Sequence, residues 1–356
     1  MKSGDSKARL EAHLLKIWYG AHRPSLMAAL GLNLLEGIYK GLRLLSRQNA
    51  KSMRSKTKTQ PPLLVVGNLI AGGAGKTPVV MAVCQSMQSL GKKVGIISRG
   101  YGRSKTDTLL INPLKALPTV ADVGDEPLFL AMQTGCPVAV GADRNAALQT
   151  LLQTFPDLDL VVSDDGLQHH RLKRQLEWVV FDSRGQGNGR LLPAGPLREP
   201  LNRLKRVDAV IASNTSVKDL AQSLNRPVAD NWHEVQVDLK GFRHLQTGEF
   251  LNTAQARKQW KAHSIAAFTG IANPNKLFSA LEDHGLALAQ QVGLPDHFAY
   301  PIDFCAQFDQ AILITSGKDA VKLSASNPKL WVAEICIDLP PELTKALEDC
   351  IGPTID

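Results

Sequence analysis

At 356 residues the chain exceeds the size at which one hydrophobic core stops growing, so two domains are expected. With 44% hydrophobic and 21% charged residues its composition excludes extensive disorder. A formal charge of +8 points to a polyanionic partner: nucleic acid, anionic lipid or a phosphorylated substrate. Met1-Lys2-Ser3-Gly4-Asp5-Ser6-Lys7 lacks the apolar core of a secretory signal, and no run of about 18 apolar residues offers a spanning helix. The five scattered cysteines show no CxxC spacing and read as packed, reduced thiols.

Residues 8–48 read as two helices broken at Arg23-Pro24. In the second, Leu30, Leu34, Leu35, Ile38, Leu42 and Leu45 recur at helical spacing. Lys16, His22, Arg23, Lys40, Arg43 and Arg47 flank them, and Lys51, Arg54, Lys56 and Lys58 follow. A basic amphipathic helix of this kind suits a lipid headgroup layer. It equally suits a helix packed on the core with a solvated basic face, and both readings stand at this point.

From residue 61, short apolar runs alternate with helical stretches. Strands are expected at 63–66, 94–97, 138–141, 160–163, 178–181 and 209–212, with helices after Lys76, after Pro127, over 144–152 and over 217–224. The pattern predicts an α/β fold: a parallel sheet with helices on both faces, binding ligands at the carboxyl ends of its strands. Residues 228–262 alternate and turn, as a β-hairpin connector would. A smaller α/β unit follows, with strands near 265–268, 286–292, 311–315 and 331–335. The expected division is therefore 1–227 (a P-loop domain with basic amphipathic N-terminal helices), 228–262 (connector) and 263–356 (C-terminal domain).

The chemistry concentrates in loops after strands. Leu63-Leu64-Val65-Val66-Gly67 runs into Gly72-Gly73-Ala74-Gly75-Lys76-Thr77, a glycine-rich turn opening a helix. Backbone N–H groups and the helix dipole suit phosphate oxygens there, with Lys76 on the terminal phosphates of ATP and the Thr77 hydroxyl on Mg2+. The strict P-loop pattern wants Gly or Ala at position 70, where Ile70 stands; the GGxGKT form of the loop is kept. Leu160-Val161-Val162-Ser163-Asp164-Asp165 is an apolar strand ending in acids, the place for a metal-holding aspartate, with Asp164 directly after the strand. Asp125-Glu126-Pro127 puts paired carboxylates before a helix, able to hold Mg2+ or to accept a proton from a hydroxyl, although helix N-termini also favour acids for structural reasons alone. Arg99, Tyr101, Arg144, Gln168, His169 and Arg198 lie in polar clusters after strands, where arginine binds phosphate in a bidentate way. His169 and His170 lack companions at zinc-ligand spacing.

In order, Val66-Gly67-Asn68-Leu69 with Gly72 through Pro78, Ser98-Arg99-Gly100-Tyr101, Gly124-Asp125-Glu126-Pro127, Asp164-Asp165-Gly166-Leu167-Gln168-His169, and Gly189 through Glu199 resemble the tetraacyldisaccharide 4'-kinases of lipid A biosynthesis. The resemblance runs from about residue 10 to the end, more loosely in the C-terminal third. It implies transfer of the ATP γ-phosphoryl group to the 4'-hydroxyl of tetraacyldisaccharide 1-phosphate, on the cytoplasmic face of the Gram-negative inner membrane. It implies Lys76 on phosphates, Thr77, Glu126 and Asp164 around Mg2+, Asp125 as base, and His297 of Pro295-Asp296-His297-Phe298 beside it. Arg99, Tyr101, Arg144, Asp165, Gln168, His169 and Arg198 would line the substrate and phosphate cleft. Two departures are Ile70, in place of a small hydroxyl residue, and Ser316-Gly317-Lys318-Asp319, without the acid expected before Lys-Asp. A P-loop switch ATPase is the rival, but Ala71 stands where such a switch carries a second lysine. A nucleic-acid binder would interleave aromatics with its basic residues, and this chain is only 5% aromatic. Nothing in the sequence marks an obligate protein partner.

Overall fold

The computed structural model describes residues 10, 13–20, 24–49, 61–324 and 327–352. Met1 through Lys7, His22-Arg23 at the expected break, and Lys51, Arg54, Lys56 and Lys58 lie outside the described residues, as does the side chain of Arg47. In chain order the strands are β1 (Leu63–Gly67), β2 (Val94–Ser98), β3 (Leu109–Ile111), β4 (Val138–Val140), β5 (Leu160–Asp164), β6 (Leu176–Phe181), β7 (Ala209–Ser213) and β8 (Trp232–Val235). Then come β9 (Asp238–His244), β10 (Phe250–Asn252), β11 (Ile265–Thr269), β12 (Leu288–Gly293), β13 (Ile312–Ser316) and β14 (Leu330–Cys336).

Packing forms two compact units. Unit 1 is Met1–Ile97, Leu152–Gln236 and Leu339–Asp356; unit 2 is Ser98–Leu151 and Val237–Asp338. The cut follows contacts rather than chain order, unlike a division at residues 227 and 262. The segment after β2 joins the C-terminal strands because its side chains are matched there: the ring of Phe129 fills the space where any side chain on Gly317 would stand. That contact also accounts for glycine in place of the acid expected before Lys318-Asp319.

In unit 1 the strands run β2-β5-β1-β6-β7-β8, each pair parallel. Leu64, Val65, Val66, Val161, Val162, Val179 and Val180 are fully buried, as expected of strands covered on both faces. The Lys76–Ser89 and Val217–Leu224 helices follow β1 and β7. The Pro341–Ile351 helix returns to this core, where Leu343 and Leu347 are buried and Thr344 Oγ1 lies 3.3 Å from Ser86 Oγ.

The N-terminal helix spans Leu26–Asn49, after a helical stretch at 13–18 that Trp18 anchors through its indole N–H to the Pro193 carbonyl (2.9 Å). Its amphipathicity is inverted relative to a core helix. Leu26, Met27, Leu30, Leu34, Leu35, Ile38, Leu42 and Leu45 are all exposed, Leu34 at 68%. The inward side is polar: Glu36 is 6% exposed and meets Arg190, while Tyr39 and Arg43 reach Arg198 and Glu199. Among the described residues no helix is long and apolar enough to cross a membrane.

Unit 2 holds a second sheet, ordered β10-β9-β14-β13-β11-β12, with β9 antiparallel to both β10 and β14 and the others parallel. The expected hairpin is β9–β10, but β9 is a full member of this sheet, whereas β8 pairs with β7 in unit 1. Phe242, Trp260 and Trp331 pack edge to face in one core layer. Phe268, Phe298, Tyr300, Phe304 and Phe308 form a second aromatic cluster, Phe268 stacked on Phe308 and the others edge to face, with Phe298 directly after His297 in the chain. β3 and β4 form an antiparallel pair in the same unit. All five cysteines are free thiols.

Candidate active site

The nucleotide-type loop lies in unit 1 between β1 and the Lys76–Ser89 helix. Gly75 closes it in the left-handed conformation (φ +84°), and a Cβ there would stand 2.8 Å from Ser213 Oγ, so glycine is required on both counts. Ala74 is buried, and Gly72 also has a positive φ. Ile70 is fully buried and bridges to Leu197. The departure from a small hydroxyl residue is thus a packing substitution.

Parallel register sets Val66 of β1 beside Asp164, the last residue of β5. The acidic strand end and the start of the glycine loop are therefore neighbours. Thr77 in the first helical turn and Asp164 at the strand end are hard oxygen donors of the kind Mg2+ takes one or two of, keeping waters and phosphate oxygens for the rest. Among the described residues no group of three or more His, Cys, Asp or Glu could hold a metal on its own. The donor set fits Mg2+ held jointly with a phosphate and does not fit a closed protein site such as structural zinc.

Asp165, next in line, adopts a left-handed backbone (φ +51°), which aspartate tolerates better than most residues. Its carboxylate gathers two cations: Arg198 donates to both oxygens at 3.0 and 2.9 Å, and Lys76 Nζ lies 3.7 Å from Oδ1. The Gln168 amide lies 3.4 Å from the Glu199 carboxylate, and the His169 carbonyl accepts from Arg174.

Unit 2 carries the other expected groups. Asp125 begins the Asp125–Thr134 helix and is almost fully buried. His297 Nδ1 faces its two carboxylate oxygens at 3.0 and 2.9 Å, joining residues 172 apart in the chain. His297 also has a left-handed backbone (φ +59°), and its ring lies 5.0 Å from that of Tyr101. The preceding Gly124 (φ +91°) has no room for a side chain, since a Cβ would stand 2.9 Å from the Tyr101 carbonyl. That close approach brings the Arg99–Tyr101 loop onto the start of the Asp125 helix, with Arg99 and Tyr101 exposed. Burial pushes the Asp125 carboxyl up, but the His297 bond and the charges of Lys318, His297 and Lys322 outweigh it and hold it below the usual carboxylate range. The bond to Asp125 raises the His297 imidazole against the opposing effect of burial. This arrangement favours a carboxylate–imidazolium pair. Glu126 is ion-paired to Lys318 at 3.1 Å. Arg144 is buried, with one guanidinium N–H donating to the Gly141 carbonyl at 2.6 Å.

Four groups near these sites have no role on the sequence alone. In unit 1 Arg184, ion-paired to Asp182 at 3.0 Å, reaches the Gly73 carbonyl of the glycine loop. Glu199, at the end of the matched 189–199 stretch, is 2% exposed. In unit 2 Lys318 bridges Glu126 and Asp296, and Lys322 lies 2.8 Å from the buried Asp319 and 3.6 Å from Asp125. In the sequence Lys318 stands out only as part of the Lys318-Asp319 pair, and Lys322, in the turn after the short Gly317–Ala320 helix, does not stand out at all.

Residues 28–352 match the family described as tetraacyldisaccharide-1-P 4'-kinase, LpxK. The chain is 40% identical to the tetraacyldisaccharide 4'-kinase of Chromobacterium violaceum over 87% of its own length and 90% of that protein. It is 39% identical to that of a Neisseria meningitidis serogroup C strain (87% and 88%) and 41% identical to that of Bordetella petrii (76% of each). In fold it is similar to LpxK from Aquifex aeolicus, crystallised in complex with ATP, with a TM-score of 0.74 at 23% identity over 91% of this chain and 100% of that one. A family match across nearly the whole length, with relatives near 40% identity, makes this chain a member of the tetraacyldisaccharide-1-P 4'-kinase family.

Proposed function

We propose that this chain transfers the γ-phosphoryl group of ATP to the 4'-hydroxyl of tetraacyldisaccharide 1-phosphate, in lipid A biosynthesis. Family membership across residues 28–352 carries the reading. The new bond joins the 4'-oxygen to the γ-phosphorus as the bond to the β–γ bridging oxygen breaks, and ADP leaves. Such transfer needs positioning and charge neutralisation more than covalent chemistry. Lys76 serves the phosphoryl oxygens. Asp125 orients the acceptor hydroxyl and takes its proton, with His297 holding the carboxylate in place. Thr77, Asp164 and Glu126 are the groups for Mg2+, which when bound neutralises charge on the phosphate oxygens. Arg99, Tyr101, Arg144, Asp165, Gln168, His169 and Arg198 serve substrate and phosphate. The assay is transfer of labelled γ-phosphate from ATP to the purified disaccharide in detergent micelles. Mg2+-dependent labelling of the lipid is expected; ATP hydrolysis with unlabelled lipid would instead favour a switch ATPase.

The substrate's acyl chains and the exposed apolar face of the Leu26–Asn49 helix together support peripheral docking, on the cytoplasmic face of the bacterial inner membrane. Replacing Leu34 and Ile38 together by Glu is expected to weaken binding to anionic phospholipid vesicles by about 10²- to 10⁴-fold, since each residue loses roughly 1.5–3 kcal/mol of burial. Co-sedimentation measures this. Undiminished binding would mean that the face serves something other than lipid.

A further inference from the structure

The 196–199 segment of unit 1 is held from three sides, one of them residues 190–192, where the Leu197 N–H donates to the Arg190 carbonyl at 3.1 Å and the Leu192 N–H to the Leu197 carbonyl at 2.9 Å. Toward the nucleotide loop, the Ala71 N–H donates to the Pro196 carbonyl and the Arg198 N–H to the Leu69 carbonyl, each at 2.7 Å. Ile70 and Leu197 pair between them as an antiparallel bridge. Toward the Leu26–Asn49 helix, the Tyr39 hydroxyl donates to the Arg198 carbonyl at 3.0 Å, and the Arg43 guanidinium lies 3.5 Å from the Glu199 carboxylate. Both side chains of this pair continue toward the phosphate site. Arg198 grips Asp165, which faces Lys76. Glu199 meets the Gln168 amide, whose nitrogen lies 3.5 Å from the Asn68 carbonyl, and the Asn68 amide donates to the Gly72 carbonyl at 3.1 Å.

We infer that Tyr39 and Arg43 are positioning residues for the phosphate loop, acting through Arg198 and Glu199 on Lys76 and Asn68. Neither touches the nucleotide loop itself. Glu199 is buried among Arg43, Arg203 (3.6 Å) and Gln168. Removing Arg43 takes one of two cations from a carboxylate that water does not reach, and the segment must shift to compensate. The helix has a further anchor besides these two residues. Glu36 accepts from Arg190 at 3.0 Å and from the Leu191 N–H at 3.2 Å, contacts that use neither Tyr39 nor Arg43, although Arg190 and Leu191 themselves pair with Leu197. The exposed apolar face is untouched as well. A helix whose outer face meets lipid thereby also sets the loop that holds the nucleotide.

The inference rests on the kinase reading only for the identity of the nucleotide, so the probe is Mg·ATP alone. Calorimetric titration of the full chain in detergent is compared for wild type, Tyr39→Phe, Arg43→Gln and Arg43→Lys, with thermal melts alongside. Tyr39→Phe, which deletes a single hydroxyl, is expected to weaken Mg·ATP binding about fivefold, and Arg43→Gln about tenfold or more. Arg43→Lys, which keeps the charge, should recover part of the loss. In the transfer assay the KM for ATP should rise while the KM for lipid holds. A lower melting midpoint with Mg·ATP affinity within about twofold of wild type in both Tyr39→Phe and Arg43→Gln would overturn the inference and leave these contacts as structural only. A wild-type chain that failed to bind Mg·ATP would sink the kinase reading itself.

Discussion

Replacing Asp125 by Asn is expected to lower kcat for phosphoryl transfer by about 10³–10⁴-fold while Mg·ATP affinity stays within about twofold. Asn keeps the size of the carboxylate but removes its charge and its ability to take a proton. The surroundings keep that charge in place at neutral pH: His297 at 2.9 Å, Lys322 at 3.6 Å and Lys318 nearby hold the carboxyl ionised despite burial. A carboxylate so stabilised is a weak base. That suits a loose transition state in which the acceptor hydroxyl keeps its proton until late and needs chiefly to be aimed. His297→Ala should cost less, about 10- to 10²-fold, because it removes the group that orients the base and leaves the base itself. Steady-state rates with saturating lipid and a nucleotide titration separate these effects. An Asp125→Asn enzyme retaining more than about a tenth of wild-type kcat would remove Asp125 from the proton-transfer role.

Lys76→Ala is expected to cost about 10³-fold in kcat, with a smaller rise in the KM for ATP. The lysine stands at the first position of its helix, behind a left-handed glycine, so its ammonium is delivered from a backbone with little freedom. Its partner in the structure, Asp165, is also bound by Arg198, so the carboxylate keeps a cation when Lys76 is lost. The fold should survive the substitution, and the loss should fall on the step in which charge redistributes across the phosphoryl oxygens. Single-turnover transfer measures that step. A single-turnover rate within about tenfold of wild type would assign the neutralising charge to another residue.

Local pattern made much of the nucleotide half readable. β1, the glycine loop, the helix opening at Lys76 and the acids ending β5 are contiguous in sequence, and hydrophobic runs bounded by glycine define them without tertiary information. The N-terminal helix shows where pattern stops. Spacing tells that Leu30, Leu34, Ile38 and Leu42 share a face, but not whether it turns inward. The opposite face is the docked one because Arg190 and Glu199, more than 150 residues on, supply partners for Glu36 and Arg43. The strands of unit 2 beyond residue 262 were readable as apolar runs, but the place of its first segment was not, for a related reason. Its first segment reads as a continuation of the parallel sheet, and long-range side-chain contacts such as the Phe129 ring against Gly317, Asp125 with His297 and Glu126 with Lys318 tie it to residues beyond 236. Lys318, Lys322 and Arg184 each reach a partner far away in the chain, and such contacts leave no periodicity to find.

The interleaving of the two units has a consequence for synthesis. Unit 2 opens at Ser98, breaks off at Leu151 and resumes only at Val237, while unit 1 is completed by the Pro341–Ile351 helix. A ribosome adding about 5–20 residues per second leaves the first part of unit 2 waiting on the order of ten seconds for its partner strands. The strands of the unit 1 sheet are all made by Val235, but its last helix follows the whole of unit 2, so neither unit is complete until nearly the whole chain has emerged. Non-local pairing of this kind is slow and leaves sheet edges open meanwhile. Yield in the cell should therefore respond to chaperone supply and translation rate more than to the stability of either finished unit.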